Sequence, residues 1–553
     1  MVFKGREPGP LPTKDILSWI FDETPQNADR PVAIDATETS RSHSFSQAKT
    51  LIQRYIAGLK ARGVKKGDCV LLHSFNDIDY PLLALAIIGS GAIFAGSNPT
   101  YTAFELEHHM KVTATTWIIP ESETLPTVLK AAKTTGIPNS HIIVFNPLKS
   151  QKCPSGFISY KSLLNHGSSS WVRFDSYDIC KNTTAARYTS SGTSGLPKAC
   201  INTHLNLIAQ HEYNFAEAFY KPQYDPVKLL FPLPLFHASV SPRALTTIWK
   251  RNEMCYLMRR FEPDSYVRYI ERFGITDLTV VPPMAVAVLN HAGVKDGTVS
   301  LKSVKNGIAG AAPLTRETQK RFMALLAPNT SFNQIWGMTE TNCLASRFEW
   351  DEFDDTGSIG WLCPGLEAKL VDLETGTDLG DACDVRGEMC VRGEGVVPGY
   401  FDPASDKPNR RGWDEDGFYH SGDVMYKSSE TGKWYIVDRV KELIKSRGFQ
   451  VAPPEVEGVL LALDGVLDAA VIGVKDVAGE SEVCRGYIVR RPGSESTLTE
   501  EVVNKWVSER LVKYKWLEGG IKFVDAIPKT PSGKILKRLL REEYEREQRK
   551  SKL

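Results

Sequence analysis

The sequence predicts an α/β protein of at least two domains, with its strands gathered into mainly parallel sheets. Three observations carry this reading. The chain is 553 residues long, beyond the size at which one hydrophobic core stops growing and a chain divides into domains. Hydrophobic residues make up 42% of it and charged residues 24%, the balance of an ordinary globular protein. Short β-branched runs alternate with amphipathic stretches, the pattern that packs helices onto the faces of a parallel sheet.

Taken in chain order, Phe45 to Arg62 reads as a helix. Val70-Leu71-Leu72, Trp117-Ile118-Ile119, His141-Ile142-Ile143-Val144-Phe145 and Leu278-Thr279-Val280-Val281 have the length and composition of strands buried on both faces. The most apolar run, Leu82 to Ala95, is interrupted by Gly89, Ser90 and Gly91 and is too short to span a bilayer. A buried helix is expected there, followed by a turn at Ser97-Asn98-Pro99. The texture changes near Asp438. Turns rich in glycine and aromatic residues, such as Pro398-Gly399-Tyr400 and Gly417-Phe418-Tyr419, precede it; a strand over Ala469 to Val474 and a helix over Glu500 to Leu511 are expected after it. A domain boundary is therefore placed at Asp438 to Lys441. No repeat of fixed period and no low-complexity tract interrupts the pattern.

Lysine and arginine total 67 against 66 aspartate and glutamate, so no basic excess exists to hold a nucleic acid or an anionic membrane. Small-molecule partners are expected, with no nucleic acid and no transmembrane segment. The 10 cysteines include no C-x-x-C pair, which favours a reducing compartment. The N-terminal residues lack the apolar core of a secretion signal. The last three residues, Ser551-Lys552-Leu553, form the tripeptide that a peroxisomal import receptor reads at a free C-terminus, so a peroxisomal address is expected.

The strongest chemical signal is Tyr188-Thr189-Ser190-Ser191-Gly192-Thr193-Ser194-Gly195-Leu196-Pro197-Lys198. Hydroxyls and glycines alternate here, so side-chain O–H and backbone N–H groups can converge on phosphate oxygens while Lys198 adds a positive charge. A phosphate cradle using Thr189, Ser190, Ser191, Gly192, Thr193 and Lys198 is expected. It is not a Walker loop, because Lys198 is followed by Ala199 and the glycine spacing differs. Thr203 reads as the cap of the next helix.

Further motifs follow in order: Phe231-Pro232-Leu233-Pro234-Leu235-Phe236-His237, Gly310-Ala311-Ala312-Pro313-Leu314 and Gln334-Ile335-Trp336-Gly337-Met338-Thr339-Glu340. Then come Tyr419-His420-Ser421-Gly422-Asp423, Asp438-Arg439-Val440-Lys441-Glu442-Leu443-Ile444-Lys445 and Pro528-Lys529-Thr530-Pro531-Ser532-Gly533-Lys534. Over about residues 30 to 545 the chain resembles the adenylate-forming (AMP-binding) superfamily, in its acyl-CoA synthetase and 4-coumarate–CoA ligase branch.

That resemblance implies a large, multi-subdomain N-terminal domain (1–438) with mainly parallel sheets, a hinge (439–441) and a small mobile α+β C-terminal domain (442–553). It implies an ATP-dependent acid–CoA ligase, with ATP, Mg2+ and coenzyme A as cosubstrates or cofactors. An acyl-AMP and pyrophosphate form first, then an acyl-CoA thioester and AMP. Glu340 matches the magnesium ligand, a carboxylate suited to a hard cation, and Thr339 the contact to the α-phosphate. Asp423, helped by Arg439, matches the ribose contact. Trp336 stands at the adenine face, with Ala311, Ala312, Gln334 and Gly337 in the same nucleotide site. Lys534 matches the lysine that bridges the acid's carboxylate and the α-phosphate, where charge develops during attack.

His237 matches a residue of the acyl and thiol-access region. For thioester formation the smaller domain of the family rotates about a hinge, here Lys441, bringing Lys445, Arg447, Gly448 and Gln450 to coenzyme A. Phe236, Ile308, Gly310 and Ile335 belong to the expected acyl pocket. Ile308 and Ile335 stand where plant hydroxycinnamate ligases align a phenol-binding lysine and a glycine. The acid is therefore expected to be apolar and without a para-hydroxyl, a medium-chain fatty or arylalkanoic acid, in secondary metabolism or in steps resembling β-oxidation. Two alternatives stay open: delivery of the acyl group to a carrier-protein thiol or to oxygen, as in luciferases, and a non-catalytic nucleotide-binding protein. Glu340, Asp423, Lys445 and Lys534 argue against the second.

Overall fold

A computed structural model describes residues 2–190, 197–216, 219–312, 314–405, 407–440, 442–446, 449–475, 482–530 and 535–551. Two large sheets dominate the first part of the chain. One has seven strands in the spatial order Ser331–Gln334, Asn306–Ala309, Asp277–Val280, Lys228–Phe231, Met254–Leu257, Pro31–Asp35 and Ser42–Ser44. Every neighbouring pair is parallel except the last. The other has the order Lys198–Thr203, Thr184–Ser190, Ile93–Ser97, Cys69–His73 and Thr115–Pro120, parallel but for the first pair.

The strand Cys69–His73 shows why these runs look uniformly apolar. Val70 and Leu72 join the main core, while Cys69 and Leu71 pack into a separate cluster on the opposite face. Period-two alternation therefore feeds two cores at once.

The helix Phe45–Ala61 is closed at its start by a capping box between Ser44 and Gln47. The helix Asp79–Gly89 is buried from Tyr80 to Gly89, as a helix apolar on every side must be. A Cβ at Gly89 would lie 2.7 Å from Leu17 Cδ2 and 2.8 Å from Ile56 Cδ1, so this glycine sets the approach of the neighbouring helices. The apolar run differs here from the expectation of a helix and a turn. The chain leaves Gly89 and enters the central strand Ile93–Ser97; with both faces of that strand covered, no periodicity separates it from the helix before it. The run His141 to Phe145 also differs, because a 3₁₀ turn spans Asn139–His141 and the strand is only Ile143–Val144.

A third sheet, absent from the sequence reading, is wholly antiparallel: Phe3–Lys4, Glu367–Val371, Gly387–Arg392, Tyr419–Lys427 and Trp434–Arg439. Its last strand ends at Arg439, and the next apolar anchor, Ile444, belongs to a different core. That core is built on the strand Val466–Lys475, which pairs antiparallel with Glu482–Arg490; Ile521–Phe523 adds a parallel third strand. Ala469 and Val471 face the cluster containing Val456 and Leu460, while Ala470 and Ile472 face the one containing Leu540. The helices Pro453–Leu461 and Lys537–Ser551 thus cover opposite faces of one small sheet. The expected helix from Glu500 ends at Ser508 and is capped by Thr499. No helix among the described residues is long and apolar enough to cross a membrane.

Candidate active site

The phosphate motif begins and ends on paired strands. Thr189 and Ser190 close one strand, Lys198 opens the next, and Ser190 and Lys198 are register partners. The residues between them, including Ser191, Gly192 and Thr193, lie outside the described residues. Just beyond, the side chain of Thr203 accepts the N–H of Asn206 at 3.2 Å while Asn206 accepts that of Thr203 at 3.0 Å. This box starts the helix His204–Asn214 directly after the hairpin. The small Ala199 and Cys200 are buried, and Lys198 Nζ sits 4.9 Å from the centre of the Tyr400 ring, a cation–π contact.

Tyr400 links that lysine to Glu340. Its hydroxyl donates to Glu340 Oε1 at 2.8 Å and lies 3.1 Å from the hydroxyl of Tyr419. Burial and the Glu340 charge push both phenols well above their ordinary range, so they remain neutral donors. Glu340 and Thr339 occupy the 3₁₀ turn Thr339–Thr341 and are buried. The turn is set by tight packing: a Cβ on Gly337 would fall 1.7 Å from the carbonyl oxygen of Cys343. Any side chain there would part the strands that flank Glu340. The oxygen donors of this buried carboxylate suit a hard divalent cation.

Asp423 and Arg439 are register partners on adjacent antiparallel strands. Arg439 Nε lies 3.2 Å from Asp423 Oδ1, and Trp336 Nε1 donates to Asp423 Oδ2 at 2.8 Å. The buried carboxylate is thus oriented from two sides. Trp336 is itself buried, and this N–H contact is one that its motif did not disclose. Gln334 accepts the N–H of Leu314 and donates to the carbonyl of Gly357 at 3.3 Å, which ties the segment after Ala311 and Ala312 to the end of the strand Ser331–Gln334. Ala311 has φ of 69°, a left-handed conformation uncommon outside glycine and typical of backbone shaped for a site.

Behind these residues lie two small adjoining cavities. Both are walled by Phe215, Arg243, Ile308, Ile335 and Leu344. Ile308 and Ile335 therefore line the same two cavities. Gly310 borders neither cavity; a Cβ there would meet Ile335 Cγ1 at 3.2 Å. Phe236 packs over Gly96, where an added Cβ would come within 2.9 Å of it. His237 is half-buried and its Nδ1 accepts the N–H of Ser239 at 3.2 Å. Burial lowers its pKa, so the ring is neutral and its Nε2 carries the proton.

A sequence model of the AMP-binding enzyme family matches residues 21–401, and one of the AMP-binding enzyme C-terminal domain matches residues 455–534. The chain belongs to the AMP-binding enzyme family. Phenylacetyl-CoA ligase epaB of Aspergillus niger is 46% identical over 541 residues, 98% of each chain. Acyl-CoA ligase azaF of the same species is 45% identical over 98% of this chain and 100% of its own. ATP-bound MatB from Rhodopseudomonas palustris superposes with a TM-score of 0.81 at 25% identity, covering 96% of this chain and 98% of its own. This AMP-binding enzyme is an ATP-dependent acid–CoA ligase: it forms an acyl-AMP and pyrophosphate, then an acyl-CoA thioester and AMP.

In this AMP-binding enzyme Lys445 and Gln450 are register partners on the hairpin Ile444–Ser446 and Phe449–Val451. Their side chains, and all of Arg447, Gly448, Lys441 and Lys534, lie outside the described residues. So do Lys552 and Leu553; Ser551 ends the last helix. Sequence reasoning missed Tyr400, Tyr419 and Arg243 as site residues. Tyr400 and Tyr419 could have been sought, since each sits in a glycine-rich turn or motif already singled out; Arg243 follows Pro242 with no signature of its own. Asp438, the last buried carboxyl before the smaller core, has a pKa pushed up to about 7 by burial, and its Oδ2 has no hydrogen-bond partner.

Proposed function

We propose that this AMP-binding enzyme activates an apolar acid without a para-hydroxyl, of the arylalkanoic or medium-chain fatty class, and passes it to coenzyme A. The observation that carries the reading is the placement of Ile308 and Ile335 in the cavity wall, with Ile335 directly between the nucleotide-site residues Gln334 and Trp336. Branched apolar side chains at these two positions offer a phenol hydroxyl no partner of their own. The 46% identity to a phenylacetyl-CoA ligase supports the arylalkanoic member of that class.

Lys198 and Lys534 counter the triphosphate charge as the carboxylate approaches, and Lys534 bridges carboxylate and α-phosphate while the acyl–phosphate bond forms and pyrophosphate leaves. Asp423, aimed by Arg439 and Trp336, receives the ribose hydroxyls. Glu340 and Thr339 would hold Mg2+ and phosphate; the cation, when bound, supplies charge neutralisation. The smaller domain then turns about residues 439–441, taking Lys534 away and bringing Lys445, Arg447, Gly448 and Gln450 to the thiol. The terminal Ser551-Lys552-Leu553 supports import into peroxisomes through their receptor, a setting that fits thioesters made for secondary metabolism or for steps resembling β-oxidation.

The test is pyrophosphate release with phenylacetate, hexanoate and 4-coumarate, each with and without coenzyme A. Phenylacetate or hexanoate is expected to exceed 4-coumarate, with a thioester appearing only when coenzyme A is present. Faster turnover of 4-coumarate than of both others would overturn the substrate class. An adenylate that passes to a carrier protein but never to coenzyme A would overturn the acceptor.

A further inference from the structure

The wall shared by the two cavities contains one charged side chain, and two of its nitrogens make no hydrogen bond. Arg243 is 8% exposed and starts a π-helical turn, Arg243–Thr247, an irregularity frequent at functional sites. Its Nε and Nη2 are buried without a hydrogen-bond partner. Buried guanidinium donors are ordinarily satisfied, because leaving them bare forfeits their hydration.

The nearest carboxylate does not close the fork. Glu253 Oε2 stays 3.6 Å from Arg243 Nη2, while the other oxygen of Glu253 is held by Arg251 Nε at 3.0 Å. The rings of Phe215 and Phe231 flank the guanidinium at 4.6 and 5.9 Å and offer its N–H groups no acceptor lone pair. Thr279 Oγ1, in the same cavity wall, is also buried without a partner. An acyl chain running between Ile308 and Ile335 reaches this polar pair beyond its apolar stretch.

We infer that Arg243 is a specificity-determining residue that receives a neutral acceptor oxygen, a keto or comparable carbonyl group, near the far end of the acyl chain. The inference rests on the acid-activating function proposed above and refines its substrate. A neutral acceptor is favoured over a second carboxylate by the charges that meet here. Arg243 and Arg251 face Glu253 and Asp277, the last already accepting hydrogen bonds from Tyr220 at 2.6 Å and Tyr224 at 2.8 Å. Two cations and two anions balance, and another buried negative charge would be uncompensated.

The test compares kcat/KM for hexanoate and octanoate with that for 5-oxohexanoate and 7-oxooctanoate on the full-length enzyme, with hexanedioate as the anionic control. At least one oxo acid is expected to exceed its parent by about tenfold or more, the usual size of a hydrogen bond to a charged donor, and hexanedioate to fall below both. Arg243→Met is expected to bring that ratio to about one or below, because the fork is gone. If the single variant fails to fold because Glu253 loses a neighbour, Arg243→Met with Glu253→Gln removes both charges together, and the same ratio is read.

Oxo acids no better than their parents on the unmodified enzyme would overturn the inference while leaving acid activation intact. A uniform fall across all acids in the variant, with the ratio unchanged, would make Arg243 structural and overturn it as well. Absence of pyrophosphate release with every acid would remove the proposed function and this inference with it.

Discussion

Lowering the pH from 7.5 to 5.0 is expected to strip stability from the helix that follows the phosphate hairpin, through one histidine. His204 is buried, and its Nδ1 accepts the N–H of Ile16 at 3.1 Å. Burial depresses its pKa to about 3, against about 6.5 in an unfolded chain. The unfolded chain therefore takes up the proton first, and the contribution to stability falls as pH drops through 6.5 towards 3. At pH 5.0 the unfolded form is favoured by about 1.5 pH units of linkage, or about 2 kcal/mol.

The assay is urea unfolding at both pH values for the unmodified enzyme and for His204→Gln, whose amide can accept the same N–H without titrating. His73, His109 and His211, each also depressed to about 3, and Asp77 and Asp438, raised to about 6 and about 7, titrate alike in both proteins. Their effects cancel in the difference. The stability gap between the two proteins is expected to move by about 2 kcal/mol in favour of the glutamine variant on going to pH 5.0. Parallel responses, with the gap constant within about 0.5 kcal/mol, would refute the reasoning.

Gly337→Ala places a methyl group where the carbonyl of Cys343 lies at 1.7 Å, and the turn carrying Thr339 and Glu340 must shift. Adenylation rates measured by pyrophosphate release are expected to fall by about a hundredfold, the cost of about 1 Å of misplacement. Trp336→Phe removes the 2.8 Å donor to Asp423 but keeps an aromatic face. The KM for ATP is expected to rise by about tenfold or more, as for loss of a hydrogen bond to a charged group, and an unchanged KM would exclude Asp423 from the ribose. Tyr400→Phe withdraws the 2.8 Å donor from Glu340. The Mg2+ concentration at half-maximal rate is expected to shift several-fold, on the order of one hydrogen bond, while kcat at saturating Mg2+ changes less. Equal loss at every Mg2+ concentration would separate Glu340 from the cation.

Part of the candidate site's geometry was legible because it is local in sequence. The residues Gln334 to Glu340 are consecutive, so motif order alone brought Ile335, Trp336, Thr339 and Glu340 to one place. The pairing of Asp423 with Arg439 needed only two neighbouring antiparallel strands. Other features were hidden for physical reasons. The Asp79–Gly89 helix and the Ile93–Ser97 strand merge into one apolar run, because burial on every side erases both periodicities. The antiparallel sheet ending at Arg439 escaped because turns rich in glycine and aromatics dominate its sequence. Tyr400 meets Glu340 across 60 residues, and Arg243 gains its meaning only from a cavity assembled by strands distant in sequence. A single chain carries no trace of such contacts.

The central claim is that these charges make AMP the leaving group of an acyl-adenylate before any thiol enters. The most direct measurement is exchange of labelled pyrophosphate into ATP with phenylacetate or hexanoate and Mg2+, in the absence of coenzyme A. Acid-dependent exchange is expected, lost in Lys534→Ala and retained in Lys445→Ala, with thioester formed by the unmodified enzyme once coenzyme A is added. No exchange until coenzyme A is present, or release of ADP and phosphate in place of AMP and pyrophosphate, would contradict the account.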